Sequence, residues 1–127
     1  MLVVALALVI QSPPLDRRSA AFDDHAFCEQ MRVIAARDEA RAGTVIDHGI
    51  THGGIAVDCL HRLVDMRTLL DRPPSKSWLR TQQRHWVDEI CSEPDVGDAV
   101  ANGWKVTASV VEGGKVIAIF EARCPRR

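Results

Sequence analysis

Tyrosine is absent from this chain, and its aromatic residues are few: three Phe and three Trp among 127 residues. That leaves little with which to stack nucleobases or to build a sugar platform. Charge of one sign is not in excess either. The formal net charge of −1 argues against the concentrated basic face that nucleic-acid binding needs. No Lys/Arg-rich amphipathic stretch marks a helix lying on a membrane surface. No apolar run reaches the roughly 20 residues that span a bilayer as a helix. Also missing are a Gly-x-Ser-x-Gly elbow, a phosphate-cradling Gly-x-x-x-x-Gly-Lys and any Cys-x2-Cys pair, so the common nucleophile, nucleotide and zinc-ribbon signatures do not apply.

What the chain does have is four cysteines in an ordinary globular composition, 46% hydrophobic and 26% charged. The length suits one domain, with a net stability of about 5–15 kcal/mol. Cys28 and Cys59 enclose one interval, Cys91 and Cys124 another of nearly equal length. An even cysteine count behind an apolar start is the pattern of an exported, disulfide-stapled domain. Each crosslink, closing a loop of roughly 30 residues, would contribute about 3–4 kcal/mol.

The run from Leu2 to Ile10 has the length of a signal-peptide core, and Ser19-Ala20-Ala21 offers small residues for cleavage. Residues 1–21 are therefore read as a signal peptide and 22–127 as a single domain. No Lys or Arg precedes the run, and Asp16, Arg17 and Arg18 charge the segment after it. A buried first strand is the competing reading. After cleavage no stable membrane span remains.

Along the domain, Asp23 or Asp24 caps a helix over about 24–41, with Phe22 placed as a hydrophobic staple. Phe27, Met31 and Ile34 form its apolar stripe, and Gly43 stops it. Thr44–Ile50 reads as a short strand, Thr51-His52-Gly53-Gly54 as a hairpin turn, and Ile55, Val57 and Cys59 as the alternation of a second strand. From 60 to 70 the pattern is divided between helix and strand, and continuation of the strand to about 68 is the reading taken. Arg72-Pro73-Pro74 breaks the chain. Ser75 or Ser77 starts another helix, with Leu79, Trp86 and Ile90 inward. Ser92-Glu93-Pro94-Asp95 has the form of a capping box that restarts a short helix, and Asn102-Gly103 ends it. Trp104, Val106, Ala108 and Val110 then alternate along a strand. Gly113-Gly114 turns the chain, and Val116, Ala118, Phe120, Ala122 and Cys124 return on one face.

The two halves share a plan: helix with cysteine, Gly, strand, Gly-Gly, strand, cysteine. The expectation is an α+β fold of two αββ units, an antiparallel four-stranded sheet with helices packed on one face and two disulfides. A helix lying across its own hairpin brings Cys28 to Cys59 and Cys91 to Cys124.

Candidate chemistry is sparse. His48-x3-His52 and Cys59-x-His61, with Cys28, have the donor types of a tetrahedral metal site, but Gly49, Gly53 and Gly54 disfavour the helix that would align the two rings. No metal or other cofactor is expected. Asp47, Asp58 and Asp65 lie on a strand-rich stretch without the spacing of an acid–base pair. Trp78 starts a helix and is the tryptophan best placed to remain partly exposed. Trp78, His48, His52 and His61 are thus the candidate binding residues.

From residue 78 onward the chain resembles a loose group of small exported alphaproteobacterial proteins of unknown function. The shared features are Trp78, Trp86, Cys91 followed by Pro94, Ala99, the Asn102-Gly103-Trp104 corner, the Gly-Gly hairpin and Cys124. Phe27-Cys28 and Cys59 match more weakly. The resemblance implies export and paired cysteines and transfers no active site. The leading expectation is a periplasmic or secreted non-catalytic module that binds a protein or envelope component, such as an inhibitor or immunity-type partner. The alternative is a small metal-dependent or hydrolytic enzyme using His48, His52 and His61.

Overall fold

A computed structural model describes residues 22–125. The proposed signal peptide lies outside the described residues. Helix α1 (Asp24–Glu39) is capped by Asp23, whose carboxylate accepts from the His25 and Ala26 amides at 2.9 and 3.1 Å. Phe22 staples its entry, with ring centroids 5.9 Å from Phe27. Only Phe27, Cys28 and Met31 of α1 are buried. Ile34, expected on the same stripe, is 38% exposed, because the contact with the core ends after Met31.

Three strands follow: β1 (Val45–Asp47), β2 (Ile50–Asp58) and β3 (Leu63–Leu70). Here the structure corrects the sequence reading twice. The first hairpin turns at His48-Gly49, whereas Gly53-Gly54 lies inside β2 and forms an irregularity in its register with β3. The expected single strand to about 68 is instead two strands, broken by a turn at Cys59–Arg62. Arg62 adopts a positive φ of 53°, and the Asp58 carboxylate accepts from the His61 amide at 3.1 Å. A side-chain cap and a left-handed residue thus do the work usually left to glycine.

Helix α2 (Lys76–Cys91) starts at Ser75, whose Oγ accepts from the Trp78 amide at 3.0 Å. Helix α3 (Pro94–Ala101) has Pro at its start but no side-chain cap. The expected capping box does not form, since Ser92 Oγ donates back to the Glu89 carbonyl at 2.6 Å and closes α2 instead. Asn102-Gly103 ends α3, with Gly103 at φ 97°. Strands β4 (Lys105–Glu112) and β5 (Lys115–Glu121) then form a hairpin through Gly113-Gly114.

The sheet has five strands in the order β1-β2-β3-β4-β5. Neighbours are antiparallel except β3 and β4, which run parallel with Val64 beside Val106 and Met66 beside Ala108. The fold is α+β, as expected, but the sheet is mixed rather than a four-stranded antiparallel one. The reason is topological: the connection from β3 to β4 passes through two helices, and a crossover of that length returns the chain in the same direction. The halves are accordingly α-β-β-β and α-α-β-β, not two αββ units.

The helices pack on the sheet face that carries Val64, Val106, Ala108 and Val110. One cluster joins Phe27, Cys28 and Met31 of α1 to Val96 and Ala99 of α3, Trp104, Val64, Val106 and Ala122. A smaller one joins Ala108, Val110 and Phe120 to the half-buried Leu79 and Trp86 of α2. On the other face, Thr107 and Ser109 are also buried. Their hydroxyls both donate to Asp65 Oδ1, at 2.7 and 2.8 Å, which removes the cost of leaving them unpaired.

Two disulfides join Cys28 to Cys59 and Cys91 to Cys124, with Cα atoms 5.8 and 5.3 Å apart. The first ties the opening turns of α1 to the end of β2. The second ties the last residue of α2 to the segment just after β5.

Candidate functional site

The β1–β2 turn, the end of β3 and the start of α2 meet around an open cleft of about 270 Å³. Ser75 fixes this geometry by capping α2 so that Trp78 lies in its first turn. Pro73 and Pro74 deny the preceding segment helical continuation and hold it extended. Trp78, Pro73, Pro74, Leu70 and Ile50 give the lining its apolar part, while His48, Asp71 and Arg72 supply polar groups. Gly49 is needed where it stands, because a Cβ there would lie 2.7 Å from Asp71 Oδ1 and the backbone has a φ of 77°.

Electrostatics in the cleft centre on Asp71. Arg72 Nε donates to its Oδ1 at 2.9 Å. That hydrogen bond holds the Asp71 carboxyl below the ordinary carboxylate value, with further help from the charges of Arg72 and His48. The same bond raises the Arg72 guanidinium above its usual value. The cleft therefore keeps a fixed anion–cation pair beside an aromatic wall.

The four candidate binding residues do not converge on one place. Trp78 and His48 line this cleft together. His52 lies on β2 and contacts Asp38 of α1 through Nε2 and Oδ2, a pair that is largely shielded. His61 sits in the β2–β3 turn, at the other end of β2, where its Nδ1 lies 2.7 Å from Asp58 Oδ2. That contact and the His61 amide hold the Asp58 carboxyl below its ordinary value. Cys28 and Cys59 are consumed in a disulfide. Among the described residues, no group of three or more His, Cys, Asp or Glu side chains is placed to hold a metal ion. Of the three aspartates singled out, Asp58 serves the turn and Asp65 the Thr107–Ser109 network, and Asp47 accepts from the His48 amide at 2.7 Å.

Sequence reading missed the contribution of Leu70, Asp71 and Pro73-Pro74, which it treated as a break between halves. The available signal was the pair of prolines followed at once by a capped helix bearing an exposed-side Trp. A second concavity of about 630 Å³ runs between α1 and β2, floored by small residues such as Ala35, Ala36, Gly53 and Gly54. It contains none of the candidate residues.

The fold so defined is that of an α+β domain, two of whose three helices are crosslinked to strand ends of a mixed sheet. No protein-family model matches the chain, and no curated protein matches it. The chain is similar in structure to a Pseudomonas aeruginosa protein inferred to be secreted, known from a crystal structure. The TM-score is 0.61 at 16% sequence identity, over 77% of this chain and 89% of that one. At that identity the likeness establishes the fold alone, and it does not reach the alphaproteobacterial group of the sequence resemblance.

Proposed function

We propose that this chain is an exported, non-catalytic binding module that acts in the periplasm or outside the cell and engages a protein or envelope component through the His48–Trp78 cleft. Two disulfides in so small a domain fit an oxidising compartment. The inferred export of the Pseudomonas aeruginosa protein agrees with that location. The observation that carries the binding reading is the cleft itself: a tryptophan, two prolines, Leu70 and Ile50 line it together with a few polar groups, His48, Asp71, Arg72 and Ser75. Binding sites are built in this way, with apolar area for affinity and a few polar groups for orientation. The enzyme alternative draws no support from the geometry, since His48, His52 and His61 occupy separate places and two of them are paired with aspartates.

The test is to replace Trp78 with a photo-crosslinking phenylalanine analogue in cells that export the protein. Leu60, 86% exposed at the far end of β2, serves as the control position. A discrete crosslinked species from position 78 that is missing from position 60 is the expected result. The same pattern from both positions, or none from 78, contradicts the reading.

A further inference from the structure

The groups lining the His48–Trp78 cleft do not offer donors and acceptors in equal measure. Asp71 is the one carboxylate in the lining. Arg72 spans both of its oxygens, with Nε on Oδ1 at 2.9 Å and Nη2 on Oδ2 at 3.3 Å. The Gly49 carbonyl, another acceptor of the lining, is taken by the Asp71 amide at 3.1 Å. Donors are left over. A guanidinium carries five N–H groups and no acceptor, so the N–H pair shared by Nη1 and Nη2 along the outer edge of Arg72 stays unspent. Ser75 Oγ accepts from the Trp78 amide, which leaves its hydroxyl proton to give. Among the described residues, Trp78 and His48 hydrogen-bond through their backbones alone, so the indole N–H and the imidazole are also free for a ligand.

What such a lining lacks is an acceptor, and the outer edge of a guanidinium is a planar fork that receives an anion in bidentate fashion. No acidic side chain stands in the first turn of α2 to oppose one. The apolar remainder, Ile50, Leu70, Pro73, Pro74 and Trp78, calls for a hydrocarbon group close beside that anion. A phosphate brings a second charge that Asp71 repels and no hydrocarbon of its own, so the anion is a carboxylate. The cleft, at about 270 Å³, is smaller than the roughly 300–1,000 Å³ of sites that enclose a drug-sized ligand. That size suits a chain end, where the carboxylate and the last side chain spring from one Cα, and not a chain passing through.

We propose that the cleft captures the C-terminus of a partner protein whose last residue is apolar. The terminal carboxylate sits on the outer edge of Arg72, and the last side chain lies among Trp78, Leu70 and Ile50. Asp71 clamps the other edge of the guanidinium, so the fork is ordered before the ligand arrives and less freedom is lost on binding. This rests on the cleft being the binding site, as proposed above.

Short peptides ending in Leu, Ile or Phe test this, each as the free acid and as the C-terminal amide, titrated to about 5 mM into the oxidised protein. The NMR shift of the Trp78 Nε1–H reads binding. Free acids are expected to bind at least about tenfold more tightly than their amides. Arg72→Gln, at an exposed ion pair, should abolish that preference and leave the melting temperature unchanged. Equal binding of acid and amide, or a preference that survives Arg72→Gln, would overturn the proposal. So would an amidated peptide with an internal Glu that binds as well as the free acid, or no binding by any peptide. Adding Arg72→Gln to the chain that crosslinks from position 78 separates this proposal from the cleft reading beneath it. Loss of the crosslinked species supports both. A species that persists keeps the cleft and overturns the carboxylate, whereas none from position 78 even with Arg72 in place removes the cleft reading and this proposal with it.

Discussion

The two halves close disulfide loops of nearly equal length, 31 and 33 residues, yet they use them differently. In the first half the bond is part of the core. Cys28 is 5% exposed and sits between Phe27 and Met31, and α1 is seated by that apolar face. In the second half α2 has no fully buried residue at all. Leu79, Trp86 and Ile90 reach only partway in, and the crosslink holds the last turn against the end of β5. Loop length sets the unfolded-state part of a disulfide's effect, and that part is the same in both halves. The difference must therefore come from native packing: the first bond reinforces a helix that would stay docked, the second holds one that would not.

Removing each bond in turn breaks this comparison most directly. Cys28→Ala with Cys59→Ala should cost about 4–5 kcal/mol, and Cys91→Ala with Cys124→Ala about 3 kcal/mol, in denaturant unfolding. Hydrogen exchange separates the two cases. The first pair should raise exchange throughout the domain, and the second should release the α2 amides before the sheet. Uniform loss of protection from both variants would show that α2 needs no tether.

The tryptophans sharpen the same contrast. Trp104 is 3% exposed, stacks edge-on against Phe27 at 4.8 Å, and donates Nε1–H to Asp24 Oδ1 at 2.8 Å. Asp24 also accepts from Arg62, so this corner locks α1 to the β2–β3 turn. Trp104→Ala should cost about 3–5 kcal/mol by thermal or denaturant melting. Trp86, in the looser half, has a buried Nε1 without an acceptor among the described residues. Trp86→Phe gives up some area but removes an unpaired donor, so its net effect should stay within about 1 kcal/mol.

The paired glycines come next. A Cβ at Gly53 would lie 2.9 Å from Arg67 Cγ and 3.0 Å from the Arg67 carbonyl oxygen. Because part of that clash is with backbone, Gly53→Ala should cost about 1–3 kcal/mol. Gly113 has open space around it but a φ of 60°, and Gly113→Ala should cost only about 1 kcal/mol.

The smallest effect is electrostatic. The folded Asp58 carboxyl titrates below its ordinary 3.8, held there by His61. Its contribution is therefore complete above that ordinary value and fades as pH falls through the lower, folded one. NMR titration should show the depressed value, and His61→Ala should return it toward 3.8. Near neutral pH this group should make stability neither rise nor fall with pH.

Much of the frame was legible because its signals are local. Ser75, Asn102-Gly103 and Gly113-Gly114 mark element ends by backbone chemistry that needs no tertiary context. The pairing of Cys28 with Cys59 and Cys91 with Cys124 followed from a helix laid across its own strands, a contact within each half. What stayed hidden depends on distant parts of the chain. Gly53-Gly54 has the composition of a turn, whereas inside the strand the bulk of Arg67 across the ladder requires glycine at 53 and a φ of 93° favours it at 54. The Cys59–Arg62 turn lacks Gly and Pro, and Leu60 imitated a core residue although it projects into solvent. The parallel pairing of β3 with β4 is written in no residue. Of the cleft, Trp78 and His48 could be picked out singly. Their meeting depends on where Pro73-Pro74 sends the chain, whereas His52 and His61 were drawn in by spacing that the strand carries elsewhere.

Peptide mapping by mass spectrometry, without reduction, on protein isolated from its native compartment bears most directly on the whole account. The expected result is a chain beginning near Phe22 whose peptides are joined only as Cys28–Cys59 and Cys91–Cys124. Four alkylatable thiols on a chain that still carries residues 2–21 would contradict both the covalent clamps and the location inferred from them.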